Sequence, residues 1–127
     1  MKPKILVVDD DPNLLRLLEY NLRVDFSVFL KANGLEALQW LAEGNVPHLI
    51  ITDVMMKHMD GYELLKNVRK DNKYDAIPII FLSAKSPCVD PIKVLIDAAD
   101  DYIVKPFDME ELVDSIRSLL QRSKYLS

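Results

Sequence analysis

Ile5-Leu6-Val7-Val8-Asp9-Asp10-Asp11 is the stretch on which the fold turns. Four consecutive apolar residues read as a strand buried on both faces, and such strands belong to parallel sheets covered by helices. Three carboxylates follow at once, so the end of this strand carries charge. Asp11 can cap a helix whose first residue is Pro12, a position that suits proline. Leu14, Leu15, Leu18 and Leu22 then recur at helical spacing.

The same alternation continues along the chain. Ser27 to Leu30 reads as a second strand. Asn33 caps a helix through Ala37, Leu38 and Leu41, which Gly44 ends. Leu49-Ile50-Ile51 is a third strand, finishing at Thr52-Asp53. Asp60-Gly61 opens a helix carrying Leu64, Leu65 and Val68. Pro78 leads a fourth strand, Ile79 to Leu82. Val89 to Ala98 reads as a fourth helix, with Pro91 blurring its start. Asp100 and Asp101 read as loop residues before a fifth strand, Tyr102-Ile103-Val104. Asp108 and Glu111 have capping-box spacing, and the fifth helix carries Leu112, Val113, Ile116, Leu119 and Leu120. Five strands alternating with five helices predict an α/β fold, a doubly wound five-stranded parallel sheet with right-handed crossovers.

With 127 residues, half of them hydrophobic, the chain has the size of one domain and enough apolar surface for a core. A single domain over 1–127 is expected, with its core at about 4–121 and no effector domain. The net charge of −4 makes nucleic acid a poor direct partner. Cys88 is the one cysteine, which excludes an intramolecular disulfide and fits a reducing cytoplasm. No apolar run approaches the roughly 20 residues that span a bilayer, so no membrane partner is expected.

Ligands of open parallel sheets bind outside the carboxyl ends of the strands. Here strand one ends in Asp9-Asp10-Asp11, strand three in Asp53, strand four in Ser83-Ala84 and strand five in Lys105-Pro106. Singly, each has a plain structural reading as a cap, a turn or a common dipeptide. Jointly they gather repelling carboxylates on one edge, which a cation would hold together. Mg²⁺ takes one or two carboxylates, keeps several waters and is completed by phosphate oxygens. Asp9, Asp10 and Asp53 can provide that site. A carboxylate can itself be a nucleophile and form an aspartyl phosphate. Lys105 can pair with a phosphoryl oxygen, and the Ser83 hydroxyl can donate to another.

These residues together resemble the receiver domain of two-component response regulators, a flavodoxin-like fold. The resemblance runs from Lys4 to about Gln121. It rests on the first stretch above, on Asp53-Val54-Met55-Met56 with Met59-Asp60-Gly61, on Leu82-Ser83-Ala84-Lys85, and on Asp100 to Phe107. It implies that Asp53 is the phosphoacceptor and that Asp9 and Asp10 serve Mg²⁺, with the Met55 backbone carbonyl completing the metal site. It implies Ser83 and Tyr102 as switch residues, Lys105 as the phosphate-contacting lysine, and a cis Lys105-Pro106 bond. The phosphodonor would be a histidine kinase or a histidine phosphotransfer protein. Output would pass to a partner or effector domain through the face of the fourth helix, fifth strand and fifth helix. Such a protein modifies itself and is not an enzyme in the turnover sense.

The sequence departs from the family's pattern in places. Lys57 stands where proline is frequent, and His58 beside it reads as solvent-exposed. His48 reads as structural. Pro87, Pro91 and Ile96-Asp97-Ala98 make the fourth helix atypical, so the standard family dimer is not carried over. Met55 and Lys85 hold positions that tune loss of the phosphoryl group; a Met cannot orient water, so slow decay is expected. The competing readings are a small-molecule phosphatase or transferase, a flavin or nucleotide binder, and a phosphate-independent receiver-like module. The chain is short for a substrate cap, and Gly34, Gly44 and Gly61 make no glycine-rich phosphate loop.

Overall fold

A computed structural model describes residues 2–54, 56, 59–84 and 99–122. The expectations for Met55, Lys57, His58, Lys85, Cys88 and the helix over Val89 to Ala98 lie outside these residues. The described elements are β1 (Lys4–Val8), α1 (Pro12–Leu22), β2 (Ser27–Lys31), α2 (Gly34–Ala42), β3 (Leu49–Thr52), α3 (Gly61–Arg69), a 3-10 turn (Asn72–Tyr74), β4 (Ile79–Ser83), β5 (Asp101–Val104) and α4 (Met109–Arg122).

The five strands form one parallel sheet in the order β2-β1-β3-β4-β5. Period-two alternation sorts their side chains to two faces. Ile5, Val7, Leu49, Ile51, Ile80, Leu82 and Ile103 pack against α1 and α4 through Leu15, Leu18, Leu22, Leu112, Ile116 and Leu120. Leu6, Val8, Ile50, Ile79 and Phe81 pack against α2 and α3 through Ala37, Trp40, Leu41, Leu64, Leu65 and Val68. Helices on both faces are why the runs Ile5 to Val8, Leu49 to Ile51 and Ile79 to Leu82 are apolar without interruption: neither side meets water.

The helix starts follow their caps. Side chains of Asp11, Asn33 and Asp60 accept from the amides of Asn13, Glu36 and Glu63, each at 2.9 Å. Asp108 accepts from the Glu110 amide at 2.9 Å. Gly44 takes φ +100 just past α2, a left-handed conformation that favours glycine. The Lys105-Pro106 bond is cis.

One expectation is corrected. Asp101 is not a loop residue: it begins β5, opposite Ile80, and accepts from the Ser115 hydroxyl of α4. The anchor that permits this is Asp100, whose carboxylate accepts from the Ile79 amide (2.8 Å) and pairs with Arg69 (3.4 Å). Two smaller shifts have the same origin. β4 extends through Ser83 and β2 through Lys31, because ladder pairing continues past the apolar run.

Candidate functional site

The sheet delivers the acidic residues to one front through its backbone. Asp9 donates its amide to the Lys31 carbonyl (3.1 Å), Asp53 to Val8 (2.9 Å) and Lys105 to Ser83 (2.7 Å). Each residue is thus the first past a strand end, tied to the neighbouring strand. Because Val8 lies opposite Thr52 in the register, Asp9 and Asp53 emerge side by side where the strand order reverses.

Asp9, Asp10 and Asp53 each offer a carboxylate oxygen, all within 4.8 Å of one another. Asp9 and Asp53 are buried and Asp10 is exposed, so the cluster opens to solvent on one side. Lys105 Nζ reaches in from the β5 end, 2.8 Å from Asp9 Oδ2 and 3.4 Å from Asp53 Oδ2. The other oxygen of Asp53 accepts from the Val54 amide at 2.7 Å. Asp9 Oδ1 accepts from the Asp11 amide at 2.9 Å.

Among the described residues, this cluster of three carboxylates has one ammonium, paired with Asp9 and Asp53, which formally leaves two negative charges uncompensated. The protonation balance reflects this. Burial pushes the Asp53 carboxyl above the usual carboxylate range; Lys105 opposes the rise and Asp9 adds to it. An ion pair alone would lower Asp53, but one ammonium shared with Asp9 does not offset its desolvation. Burial alone would lower Lys105, yet its bond to Asp9 and the charge of Asp53 hold it above the ordinary lysine value. An all-oxygen set with surplus negative charge suits a hard divalent cation.

The remaining site candidates fall as follows. Ser83 ends β4 and is buried. Tyr102 is half-buried, its ring edge-on to Phe81 at 6.1 Å, and Phe81 meets Tyr62 in the same way at 5.3 Å. Asp11 caps α1. His48 Nδ1 accepts from the Lys4 amide at 2.8 Å, a structural bond. A groove of about 480 Å³ runs beside the cluster between α1 and the residues after β5, lined by Leu14, Leu17, Lys105, Phe107 and Met109. Sequence reasoning passed over Thr52, whose hydroxyl donates to the Asp53 carbonyl at 2.9 Å. A hydroxyl directly before the acidic strand end was the available signal.

Comparison with known proteins bears on this arrangement. The family model for the response regulator receiver domain matches residues 5–117. A probable transcriptional regulator, ycf27, of Cyanophora paradoxa is 44% identical over 124 residues, covering 97% of this chain and 50% of that protein. The alkaline phosphatase synthesis transcriptional regulatory protein PhoP of Bacillus subtilis is 40% identical over 125 residues, covering 98% and 51%. The chain spans about half the length of these curated relatives. Among solved structures, response regulator TrrA of Thermotoga maritima, in complex with Mg²⁺-BeF, matches with TM-score 0.80 and 37% identity, covering 94% of this chain and 99% of that one.

Proposed function

The chain belongs to the response regulator receiver domain family of two-component systems, and from that premise we propose that it takes a phosphoryl group onto Asp53 with Mg²⁺ and so switches partner binding. The observation that carries this reading is the surplus of negative charge around Asp53, Asp9 and Asp10, beside a single ammonium among the described residues. The donor set fits Mg²⁺: Asp9, Asp10 and Asp53 would hold it, with the Met55 backbone carbonyl completing the set. Bound there, Mg²⁺ would offset charge on the transferring phosphoryl group.

The chain's own residues do the rest. A carboxylate oxygen of Asp53 attacks phosphorus and the P–O bond forms, while the P–N bond of the partner's phosphohistidine, protonated on its other ring nitrogen, breaks so that neutral imidazole leaves. Its Oδ1 is held by the Val54 amide, while Oδ2 faces Lys105. Lys105 pairs with a phosphoryl oxygen, and Ser83 donates its hydroxyl to another. The new charge of about −1.5 to −2 biases two packings, in the second of which Ser83 moves toward the phosphoryl group and Tyr102 turns inward. The donor is a histidine kinase or histidine phosphotransfer protein, acting in the cytoplasm. Output passes through the face that includes β5 and α4. The chain acts on itself and does not turn over a separate substrate.

A receiver-like module that works without phosphate is the second reading, and the complete acidic set with Lys105 disfavours it. Intact mass after incubation with Mg²⁺ and acetyl phosphate separates the two. One added phosphoryl group, absent from Asp53→Asn and after metal chelation, is expected. If the native chain gains no mass and does not bind beryllofluoride with Mg²⁺, the second reading replaces the first.

A further inference from the structure

The Asp53 carboxylate can be no better placed than the backbone that carries it. That backbone is held on three sides. Its amide donates to Val8 in β1, as described above. Its carbonyl accepts from the hydroxyl of Thr52, a residue 1% exposed. The start of α3 closes the third side, where the Gly61 amide donates to the Val54 carbonyl at 2.8 Å.

Gly61 comes closer than any other residue type could. A Cβ there would stand 2.2 Å from the Asp53 carbonyl oxygen, 3.0 Å from Val54 Cα and 3.1 Å from the Asp53 carbonyl carbon. A carbon and a carbonyl oxygen ordinarily rest about 3.3 Å apart or more, so roughly 1 Å of movement would be forced. All three atoms are backbone, so no flexible side chain can give way. α3 cannot readily retreat either, since Tyr62, Leu64, Leu65 and Val68 bury against the sheet. The overlap would therefore fall on Asp53.

Gly44 makes the contrast. It lies at the end of α2, a Cβ there would meet nothing within 4 Å, and its requirement is conformational only. Alanine at Gly44 costs stability through strain at positive φ, away from the acidic cluster.

We infer that Gly61 and Thr52 are positioning residues which together fix the main-chain carbonyl of Asp53, and so set its carboxylate against Asp9, Asp10 and Lys105. The inference rests on the phosphoacceptor reading of Asp53. Thr52→Val exchanges the hydroxyl for a methyl at a buried β-branched strand position, a shape-conserving change that tests the clamp independently of Gly61→Ala. Thr52→Ser restores the donor.

The test is the rate of phosphoryl gain from acetyl phosphate at saturating Mg²⁺, with Mg²⁺ affinity and Tm measured on the same samples. Misplacing a reacting group by about 1 Å can cost on the order of a hundredfold. Gly61→Ala is expected to lose tenfold or more in rate, and Thr52→Val severalfold, with Thr52→Ser near the native rate. Gly44→Ala is expected to lower Tm while its rate stays within twofold of native. Native rates in both Gly61→Ala and Thr52→Val would overturn the clamp and leave the function standing. Rates that track Tm alone, with Gly44→Ala as slow as Gly61→Ala, would also overturn it. A native chain that neither binds Mg²⁺ nor gains mass would remove the function itself, and the clamp with it. Should Gly61→Ala fail to fold, Thr52→Val against Thr52→Ser decides.

Discussion

The two ends of the sheet are both rich in polar groups, and they are built on opposite plans. At the amino end the partly buried charges of Arg69 and Asp100 answer each other. Arg69 donates to the carbonyls of Tyr74 (3.0 Å), Asp75 (3.3 Å) and Ile77 (2.9 Å) and pairs with Asp100, which itself accepts from Ile79. His48 accepts from Lys4. At the carboxyl end, Asp9 and Asp53 share Lys105, and Asp10 stands beside them. Buried polarity alone therefore does not mark a site. An uncompensated charge does, because the fold tolerates it only at a cost that a ligand can relieve.

The largest expected effect breaks the closed end. Arg69→Ala takes the guanidinium from the carbonyls of Tyr74, which keeps the Ile77 amide, and of Asp75 and Ile77, and leaves Asp100 without its cation. Stability should fall by about 3 kcal/mol, judged from hydrogen bonds to charged groups. Denaturant unfolding reads this, and Mg²⁺ affinity should stay within twofold of native. A large loss of Mg²⁺ binding would show that the two ends are not separate.

The open end should respond with the opposite sign. Asp53→Asn removes a buried charge that burial disfavours, so without metal the variant should be more stable, by on the order of 1 kcal/mol. The sign in pH agrees. Burial raises the folded-state value of Asp53, so the destabilisation is present above that value and is relieved as pH falls through it toward the unfolded value of 3.8. Metal-free stability of the native chain should therefore recover some ground over that acid window, and Asp53→Asn should not show the recovery.

A third case separates charge from mere lack of a partner. The Tyr62 hydroxyl is buried and has no hydrogen-bond partner among the described residues, yet it is neutral, its phenol pushed up to about 12, chiefly by burial. Tyr62→Phe should gain about 1 kcal/mol by removing an unsatisfied group, with Mg²⁺ affinity unchanged. A loss of stability on thermal unfolding would mean that the hydroxyl is satisfied after all.

The smallest effect is at His48. Burial, with Lys4 adding, lowers its protonation below the usual 6.5. The unfolded chain then binds the extra proton first, so this contribution is present above about pH 6.5 and is lost as pH falls toward the depressed folded value. His48→Ala should cost about 0.5–1 kcal/mol at pH 8 and flatten the profile below 6.5. An unaltered slope would refute the assignment.

How far the sequence disclosed all this depends on the range of each interaction. Apolar runs announced β1, β3 and β4, and the caps at Asp11, Asn33 and Asp60 could be read from the residues beside them. The gathering of Asp9, Asp10, Asp53 and Lys105 followed from one rule about strand ends. Asp101 was misjudged as a loop residue because its partners lie far along the chain, at Ile80 and Ser115; Asp100 is the loop residue it was read as, though its anchoring by Arg69 and Ile79 was not legible. Thr52 was passed over because a β-branched residue in a strand already has a sufficient reason to be there. Gly61 was legible as part of a motif, but its closeness to Asp53 is a matter of how α3 docks, which no local pattern encodes.

Calorimetric titration of Mg²⁺ into the native chain, Asp9→Asn and Asp53→Asn decides whether the acidic cluster holds a cation. One ion per native chain is expected, with affinity reduced tenfold or more in each variant and a native stability that rises by about 2.7 kcal/mol at a hundredfold excess of Mg²⁺ over its Kd. Absence of binding to the native chain, or binding that survives both substitutions, would contradict it.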